Sequence, residues 1–327
     1  MRSSEWKIRR QEMQRTDHLQ MSGIRLSGFV AKAAVIFFAG LLRVHAAMDT
    51  TYIRPDSSLI VKASLYAGLT TLSVQESKEA GETDYLPNSP ASIGIGIAYP
   101  KIPFEIALGI DAGAKQDDHY LRTRAFDLQI NHYGRMYVLD ASLEHYRGFY
   151  IDNDTLAYDS ADCPDLKILA ASLGVQYIFN SRKFSYQAAF SQSERQLRSA
   201  GSLLIGGTLQ YLRIDSDSSL NFKGMHSITS LLLGLNAGYS WNWVITPRWL
   251  LNGSFSMGGN LERTDAESGL HVDPAFLVRA ACLYSREKWF TGIYFVLNTL
   301  SSLYRDDSGI NFSYGRLYII YARRFSI

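Results

Sequence analysis

The segment around Ser172–Phe179 alternates between apolar and small or polar side chains, one residue at a time. Odd positions from 169 to 179 carry Leu, Ala, Val, Tyr and Phe, whereas even positions from 170 to 176 carry Ala, Ser, Gly and Gln. Successive side chains of a strand point to opposite sides, so one face is apolar and the other small or polar. The alternation recurs through most of the chain with almost no helical segments between, which favours a transmembrane β-barrel over a soluble α/β fold.

Strand-like runs of this kind number thirteen, and tight turns alternate with longer polar connections between them. Bacterial barrels place short turns on the periplasmic side and need an even number of strands. Either one run between 183 and 246 does not cross the membrane, which gives 12 strands, or residues 219–225 add one, which gives 14. The runs lie near residues 58–74, 91–99, 104–115, 124–133, 136–148, 167–180, 183–195, 201–213, 228–245, 249–263, 274–285, 288–301 and 312–326.

Composition agrees with an antiparallel transmembrane β-barrel of 12–14 strands. The 327 residues are 13% aromatic, and aromatic side chains are favoured in strands and at membrane interfaces. Mean hydropathy is only −0.08, as expected when inward polar residues dilute an apolar outer face. The net charge of +2 argues against nucleic acid as a partner. Cys163 and Cys282 lack metal-ligand spacing, and the sequence leaves open whether they pair.

The N-terminus has the pattern of a secretory signal peptide. Residues 1–27 are polar and basic, Gly28–Leu42 is apolar, and Val44-His-Ala46 has the small-x-small form of a cleavage site. We therefore expect a signal peptide over residues 1–46, with Met21 as an alternative start. A periplasmic lead is expected over residues 47–57, followed by the barrel over residues 58–327.

Two neighbouring strands carry a group of polar side chains that share one face. Charged groups facing lipid would cost several kcal/mol, so these side chains are expected to face the lumen. The tight turn at Gly134 predicts a hairpin, which would join them into one patch. This patch is either a binding or proton-handling site or, as we favour, a hydrogen-bonded interior plug. Its members are Asp127, Gln129, Asn131, Arg135, Asp140, Ser142 and Glu144.

The last strand places apolar and aromatic residues on alternate positions from Leu317 to Phe325, with Arg323 among them. It resembles the C-terminal signal that outer-membrane barrel assembly machinery recognises, although two residues follow Phe325. The expected partners are therefore outer-membrane lipids and that assembly machinery.

Several segments together resemble a family of Gram-negative outer-membrane proteins that is catalogued only as a domain of unknown function and is associated with gut-type anaerobes. The resemblance spans essentially the whole mature chain. It implies a location in the outer membrane and a barrel architecture, and it carries no known activity, substrate or site residues. The segments are Asp49–Pro55, Asp127–Arg135, Leu143–Tyr150, Pro164–Lys167, Asn180–Phe190 and Ser199–Gly207.

Three functions are compatible with these features. The leading hypothesis is a structural or transport-type, porin-like barrel that is not an enzyme and has no cofactor, metal or catalytic residues. The second is a barrel enzyme acting on lipid or envelope substrates, suggested by the shared-face carboxylates and scattered histidines. The third is a ligand-binding or adhesion barrel using the loops at 75–90 and 147–166, where Tyr85, Phe149, Tyr150 and Tyr158 are expected to be exposed.

Overall fold

The computed structural model describes residues 47–75, 82–89, 91–99, 102–112, 118–151, 162–217, 225–265, 269–302 and 309–326. The predicted signal peptide, Tyr158 and residues 219–224 lie outside these described residues. Within them, no helix has the length and apolar character that a membrane-crossing helix requires.

The described residues form fifteen strands and one short helix. Sequence neighbours mostly pair as antiparallel hairpins. The elements are β1 (Ile53–Pro55), β2 (Leu59–Gln75), β3 (Glu82–Leu86), β4 (Ser92–Tyr99), β5 (Ile102–Asp111), β6 (Arg124–Tyr133), β7 (Tyr137–Ile151), β8 (Asp162–Ile178), α1 (Tyr186–Ala189), β9 (Glu194–Gln196), β10 (Ala200–Asp215), β11 (Ser227–Thr246), β12 (Trp249–Thr264), β13 (His271–Ser285), β14 (Trp289–Ser302) and β15 (Gly309–Phe325).

Twelve of these strands close into a barrel. The ring runs from β2 through β4, β5, β6, β7 and β8 to β10, and from there through β11–β15 back to β2. The last strand pairs with the first along its full length, from Gly309 opposite Gln75 to Phe325 opposite Leu59. The lower of the two predicted strand numbers is therefore confirmed, and the even number is typical of bacterial outer-membrane barrels.

The two ends of the barrel differ in their connections. At one end, here called the turn end, the connections after β4, β6, β11 and β13 are short. At the other, the loop end, the connections are longer, and β3 bridges the ends of β2 and β7 there. This asymmetry is that of outer-membrane barrels, in which the turn end faces the periplasm. The molecule thus has the architecture of a protein of the Gram-negative outer membrane.

The run at 183–195, which the alternation predicts as a strand, takes no part in the ring. The barrel therefore has twelve strands and not thirteen. Phe184, Tyr186 and Phe190 fit a two-residue repeat, but Tyr186 and Phe190 also fit the i, i+4 spacing of a helix. Ser185 favours the helix over the strand, because its Oγ caps α1 by accepting a hydrogen bond from the Ala188 N–H (3.0 Å). Gln192, with φ of 62°, then turns the chain back toward β10. We call residues 179–199 the insert.

The lead before the barrel joins the insert. Strand β1 pairs with β9, and the backbone N–H of Asp49 donates to the Arg182 carbonyl oxygen (3.0 Å). The Asp49 carboxylate accepts hydrogen bonds from the side chain and backbone N–H of Thr51, which lower its pKa. The lead therefore lies against the insert at the turn end.

The faces of the wall follow the predicted alternation. Outward positions carry exposed apolar side chains; on β11 these include Leu231, Leu233 and Leu235, the last 75% exposed. The turn end carries a belt of aromatic rings, in which the contacts Trp249–Tyr284, Tyr284–Trp289 and Trp289–Tyr321 have centroid distances of 5.1, 5.8 and 6.2 Å. Such belts mark the level of lipid headgroups, so hydrocarbon covers the wall above it.

A charged side chain introduced on the outer face of the wall tests whether that face meets lipid. Replacing Leu235 by Arg is expected to lower the free energy of unfolding in lipid vesicles by about 2–4 kcal/mol, because the guanidinium would face hydrocarbon. Chemical denaturation followed by tryptophan fluorescence would measure it, with Leu235→Ala as the control for lost side-chain volume. Equal stability of the two variants would contradict a lipid-facing position for Leu235.

Candidate functional site

The predicted polar patch forms where β6 and β7 pair. The register places Asp127 opposite Glu144, Gln129 opposite Ser142, and Asn131 opposite Asp140. The hairpin around Gly134 thus brings six of the seven predicted residues onto one area of the inner wall, as the shared parity of their positions predicted.

Arg316 of β15 reaches this area and pairs with two of its carboxylates. Its guanidinium lies 3.0 Å from Asp127 Oδ2 and 2.7 Å from Glu144 Oε2. All three residues are buried. Tyr66 and Tyr146 donate further hydrogen bonds to Asp127 (3.4 Å) and Glu144 (3.2 Å). A cation placed between two acids favours their charged forms and opposes the cost of burying them.

The second ion pair joins Asp140 to Arg279 of β13, with 2.5 Å between Nη2 and Oδ2. Between the two pairs, the Gln129 amide donates to Asp127 Oδ2 (3.2 Å) and to the Tyr318 hydroxyl (3.0 Å). Ser142 shares a hydrogen bond with Ser172 of β8 (2.8 Å). The patch is therefore part of a network that crosses the lumen.

Arg135 lies apart from the other six residues. Its side chain is at the turn end, where Nη2 lies 2.6 Å from Glu194 Oε1 and Nη1 donates to the Ser181 carbonyl oxygen (2.8 Å). The turn that contains it points toward the insert, so Arg135 holds the insert and does not line the patch.

The insert closes the lumen at the turn end. Phe184, Tyr186 and Phe190 are buried and pack against inward side chains of the wall. Polar contacts fix them: the Tyr186 hydroxyl bonds Ser254 Oγ (2.6 Å), and Asn242 Nδ2 donates to the Ser185 carbonyl oxygen (2.8 Å).

A third ion pair lies directly beneath the insert. Lys62 donates to both oxygens of Glu105 (2.6 and 2.7 Å) and to the Phe190 carbonyl oxygen (2.8 Å). Tyr294 donates to the same carbonyl oxygen (2.9 Å). The C-terminal end of α1 is thus attached to charged and phenolic groups of the inner wall.

Apolar side chains close the loop end. Gly148, with φ of 83°, lies at a register shift between β7 and β8, and Phe149 beyond it is fully buried. Tyr85 is also buried, and Tyr150 stacks on Tyr120 at 4.3 Å. The expectation that Tyr85, Phe149 and Tyr150 are exposed for partner binding is therefore wrong, because they complete this closure. Its other members include Leu72, Leu166, Ile168, Leu212, Ile214, Ile228 and Phe312.

A polar chamber of about 180 Å³ remains between the two closures. A second cavity of about 260 Å³ lies on the turn-end side between the insert and β4–β6. Glu105, Asn131 and Tyr133 line both cavities, and the Tyr133 and Phe190 rings stack at 5.7 Å. This aromatic contact therefore lies where the chamber and the turn-end cavity come together.

The functional residues that the sequence analysis missed are charged side chains on the inward faces of other strands. Arg316 and Arg324 occupy inward positions of β15, on the face opposite Leu317 and Ile319, so their inward direction was readable from the alternation. The carboxylate partners of Arg316 were not readable, because they lie on β6 and β7, more than 170 residues earlier in the chain. Lys62, Glu105 and Arg279 carried the same signal.

The chemistry that this site shows is charge compensation. Among the described residues, no three His, Cys, Asp or Glu side chains come close enough together to hold a metal ion. Cys163 and Cys282 lie on β8 and β13 and are not joined by a disulfide. Asp127 and Glu144 are held by Arg316, and Asp140 by Arg279. Carboxylates bound in this way serve better to fix the wall than to accept protons from a substrate.

Removing Arg316 tests the central ion pairs. Arg316→Met is expected to cost about 3–5 kcal/mol of unfolding free energy, because two buried carboxylates lose their cation. The triple variant with Asp127→Asn and Glu144→Gln is expected to recover most of this loss in the same denaturation experiment. A triple variant no more stable than Arg316→Met would show that the ion pairs do not set the stability here.

Comparison with known proteins identifies a family and several similar folds. A family model described as "Domain of unknown function (DUF4421)" matches residues 47–325. A comparison with curated proteins finds no match. The translocator domain of the autotransporter NalP from Neisseria meningitidis is similar, with 13% identity over 91% of this chain and 96% of that one, at a TM-score of 0.45.

The outer membrane protease OmpT from Escherichia coli shares 10% identity over 84% of this chain and 98% of that one, at a TM-score of 0.38. The Pseudomonas putida toluene transporter TodX shares 7% over 83% and 90%, at a TM-score of 0.28. These likenesses carry no argument about function. The family model covers almost everything after the predicted signal peptide, so the chain belongs to the DUF4421 family, a domain of unknown function.

Proposed function

We propose that this protein is a gated, non-enzymatic outer-membrane barrel that lets small solutes pass when its insert moves. The observation that carries the proposal is the polar chamber, which is enclosed at the turn end by a separate segment of chain. A purely structural barrel of this size is stabilised well by an apolar core. Buried ion pairs are often no better than apolar packing for stability, so three buried cations paired with carboxylates in one lumen suggest a role in addition to stability.

The way the insert is held supports gating. Its contacts with the wall are hydrogen bonds, aromatic packing and the ion pair of Glu194 with Arg135, and it takes no part in the closed ring of strands. It can therefore leave its position without breaking the backbone pairing on which the barrel depends. The cavity at the turn end gives a displaced insert space on the β4–β6 side.

The state of the carboxylates supports a function without catalysis. An enzyme acting on lipid or envelope substrates needs an acid or base that substrate can reach. The carboxylates of the predicted patch are instead engaged by arginines on the inner wall of the barrel.

Weakening the attachment of the insert tests the gate. In planar bilayers the unaltered barrel is expected to show rare openings, and Asn242→Ala combined with Ser254→Ala is expected to raise the open probability roughly thirtyfold, since the two lost hydrogen bonds contribute about 1 kcal/mol each. Asn311→Ala with Ser313→Ala makes the same two substitutions at the loop end, where the two side chains bond each other and not the insert, and is the control. No conductance from any of these proteins over a wide voltage range would refute passage.

We further propose that β15 carries the assembly signal. Its outward positions from Leu317 to Phe325 are exposed in the finished barrel, and its pairing with β2 is the step that closes it. Phe325→Ala is expected to lower the amount of folded protein in the outer membrane of cells while leaving refolding into vesicles unchanged, as judged by gel mobility without heating. An equal loss in both settings would assign Phe325 a purely structural role.

A further inference from the structure

We propose that the central chamber binds a small, neutral, hydroxyl-rich ring molecule of monosaccharide size. This inference rests on the proposed function and names the kind of solute that the chamber accepts. Buried side chains that line the chamber and carry an unpartnered polar atom support it, together with the size and charge of the space.

Three side chains of the chamber wall carry a polar atom that has no hydrogen-bond partner among the described residues. These atoms are Oε1 of Gln176, Oε1 of Gln210 and Nη1 of Arg279. The three residues are 4%, 2% and 9% exposed. Buried polar groups in native proteins are nearly always satisfied, so unsatisfied ones around a cavity point to an occupant that bonds them.

The types of atom define the chemistry of that occupant. The two glutamine oxygens only accept hydrogen bonds, whereas the arginine nitrogen only donates them. An ammonium ion cannot accept from the arginine, and a carboxylate cannot donate to the glutamines. Hydroxyl groups do both, so a molecule with several hydroxyls satisfies all three positions at once.

Charge in the chamber favours a neutral occupant. Its cations Lys62, Arg279 and Arg316 are each already paired with a carboxylate, at 2.6, 2.5 and 2.7 Å. An anion would be repelled by the carboxylates of Glu105, Asp140 and Glu144 that line the chamber, and a cation would have to compete with a bound arginine or lysine. Binding a neutral molecule leaves every ion pair in place.

The size and the remaining lining fit a ring. The chamber volume of about 180 Å³ exceeds that of the roughly 150 Å³ cavity known to accept benzene. Tyr133, Tyr294 and Tyr318 add flat aromatic surface beside the amide groups of Asn131 and Asn236. Apolar faces with a few placed polar groups are typical of small-molecule sites.

Ligand-observed NMR on the detergent-solubilised barrel tests the proposal with three matched probes. D-glucose is expected to bind, whereas D-glucuronate, which adds a carboxylate, and cyclohexanol, which keeps one hydroxyl, are expected to bind much more weakly. Gln210→Leu is expected to weaken glucose binding about fivefold or more, because it removes one acceptor. Gln187→Leu makes the same change on the insert, outside the chamber, and should leave binding unaltered.

Filling the chamber gives an independent variant. A Cβ at Gly174, which lines the chamber, meets its neighbours only at ordinary contact distances of 3.7 Å or more, so Gly174→Val is expected to fold and to abolish glucose binding. Gly259→Val places the same side chain on the outer wall, against Val272, and is expected to bind glucose normally.

The possible outcomes separate this inference from the gating proposal. Glucose binding that depends on Gln210 and Gly174 supports the site even if no conductance is seen. Absence of glucose binding, or binding that neither variant changes, overturns the inference and leaves a conducting barrel intact as a gate for other solutes. Equal binding of glucuronate would refute the neutral class.

Discussion

The structure depends on one constraint: inside a membrane, every backbone N–H and C=O of the wall must find a partner in the wall itself. The pairing of β15 with β2 along the full length of β15 meets it, because it removes the last two strand edges. Closure also divides the surroundings of each strand into hydrocarbon on one side and an enclosed lumen on the other. The direction of every side chain in the wall follows from that division.

Closure also makes the lumen a place where distant parts of the chain meet. Arg316 lies on β15, whereas Asp127 and Glu144 lie on β6 and β7. The three side chains nevertheless form one set of ion pairs. Each of these charges is costly to bury alone. Together they hold opposite walls of the barrel at a fixed distance, and they surround a space that side chains do not fill.

The insert turns this space into a chamber. The insert is the connection between β8 and β10, whereas the other connections at the turn end are only a few residues long. It folds inward instead of extending along the wall. Because it lies outside the ring of strands, its position is set by side-chain contacts with the wall and by the short backbone pairing of β9 with β1. The wall and the insert therefore differ in what their movement costs: the wall must break backbone hydrogen bonds in lipid, whereas the insert must break a few polar contacts and some aromatic packing.

The sequence by itself determined the class of fold, the direction of the wall side chains and the six-residue patch on β6 and β7. The reason is local: a period of two fixes which face a residue occupies, and a tight turn fixes which residues of two adjacent strands lie opposite each other. Only the tertiary structure decided the conformation of residues 183–195, since their spacing fits a strand and a helical turn equally well. Only closure of the ring decided which cation meets which carboxylate, that Arg135 holds the insert, and that Phe149 completes an apolar seal, because contacts across a lumen join residues that no local pattern relates.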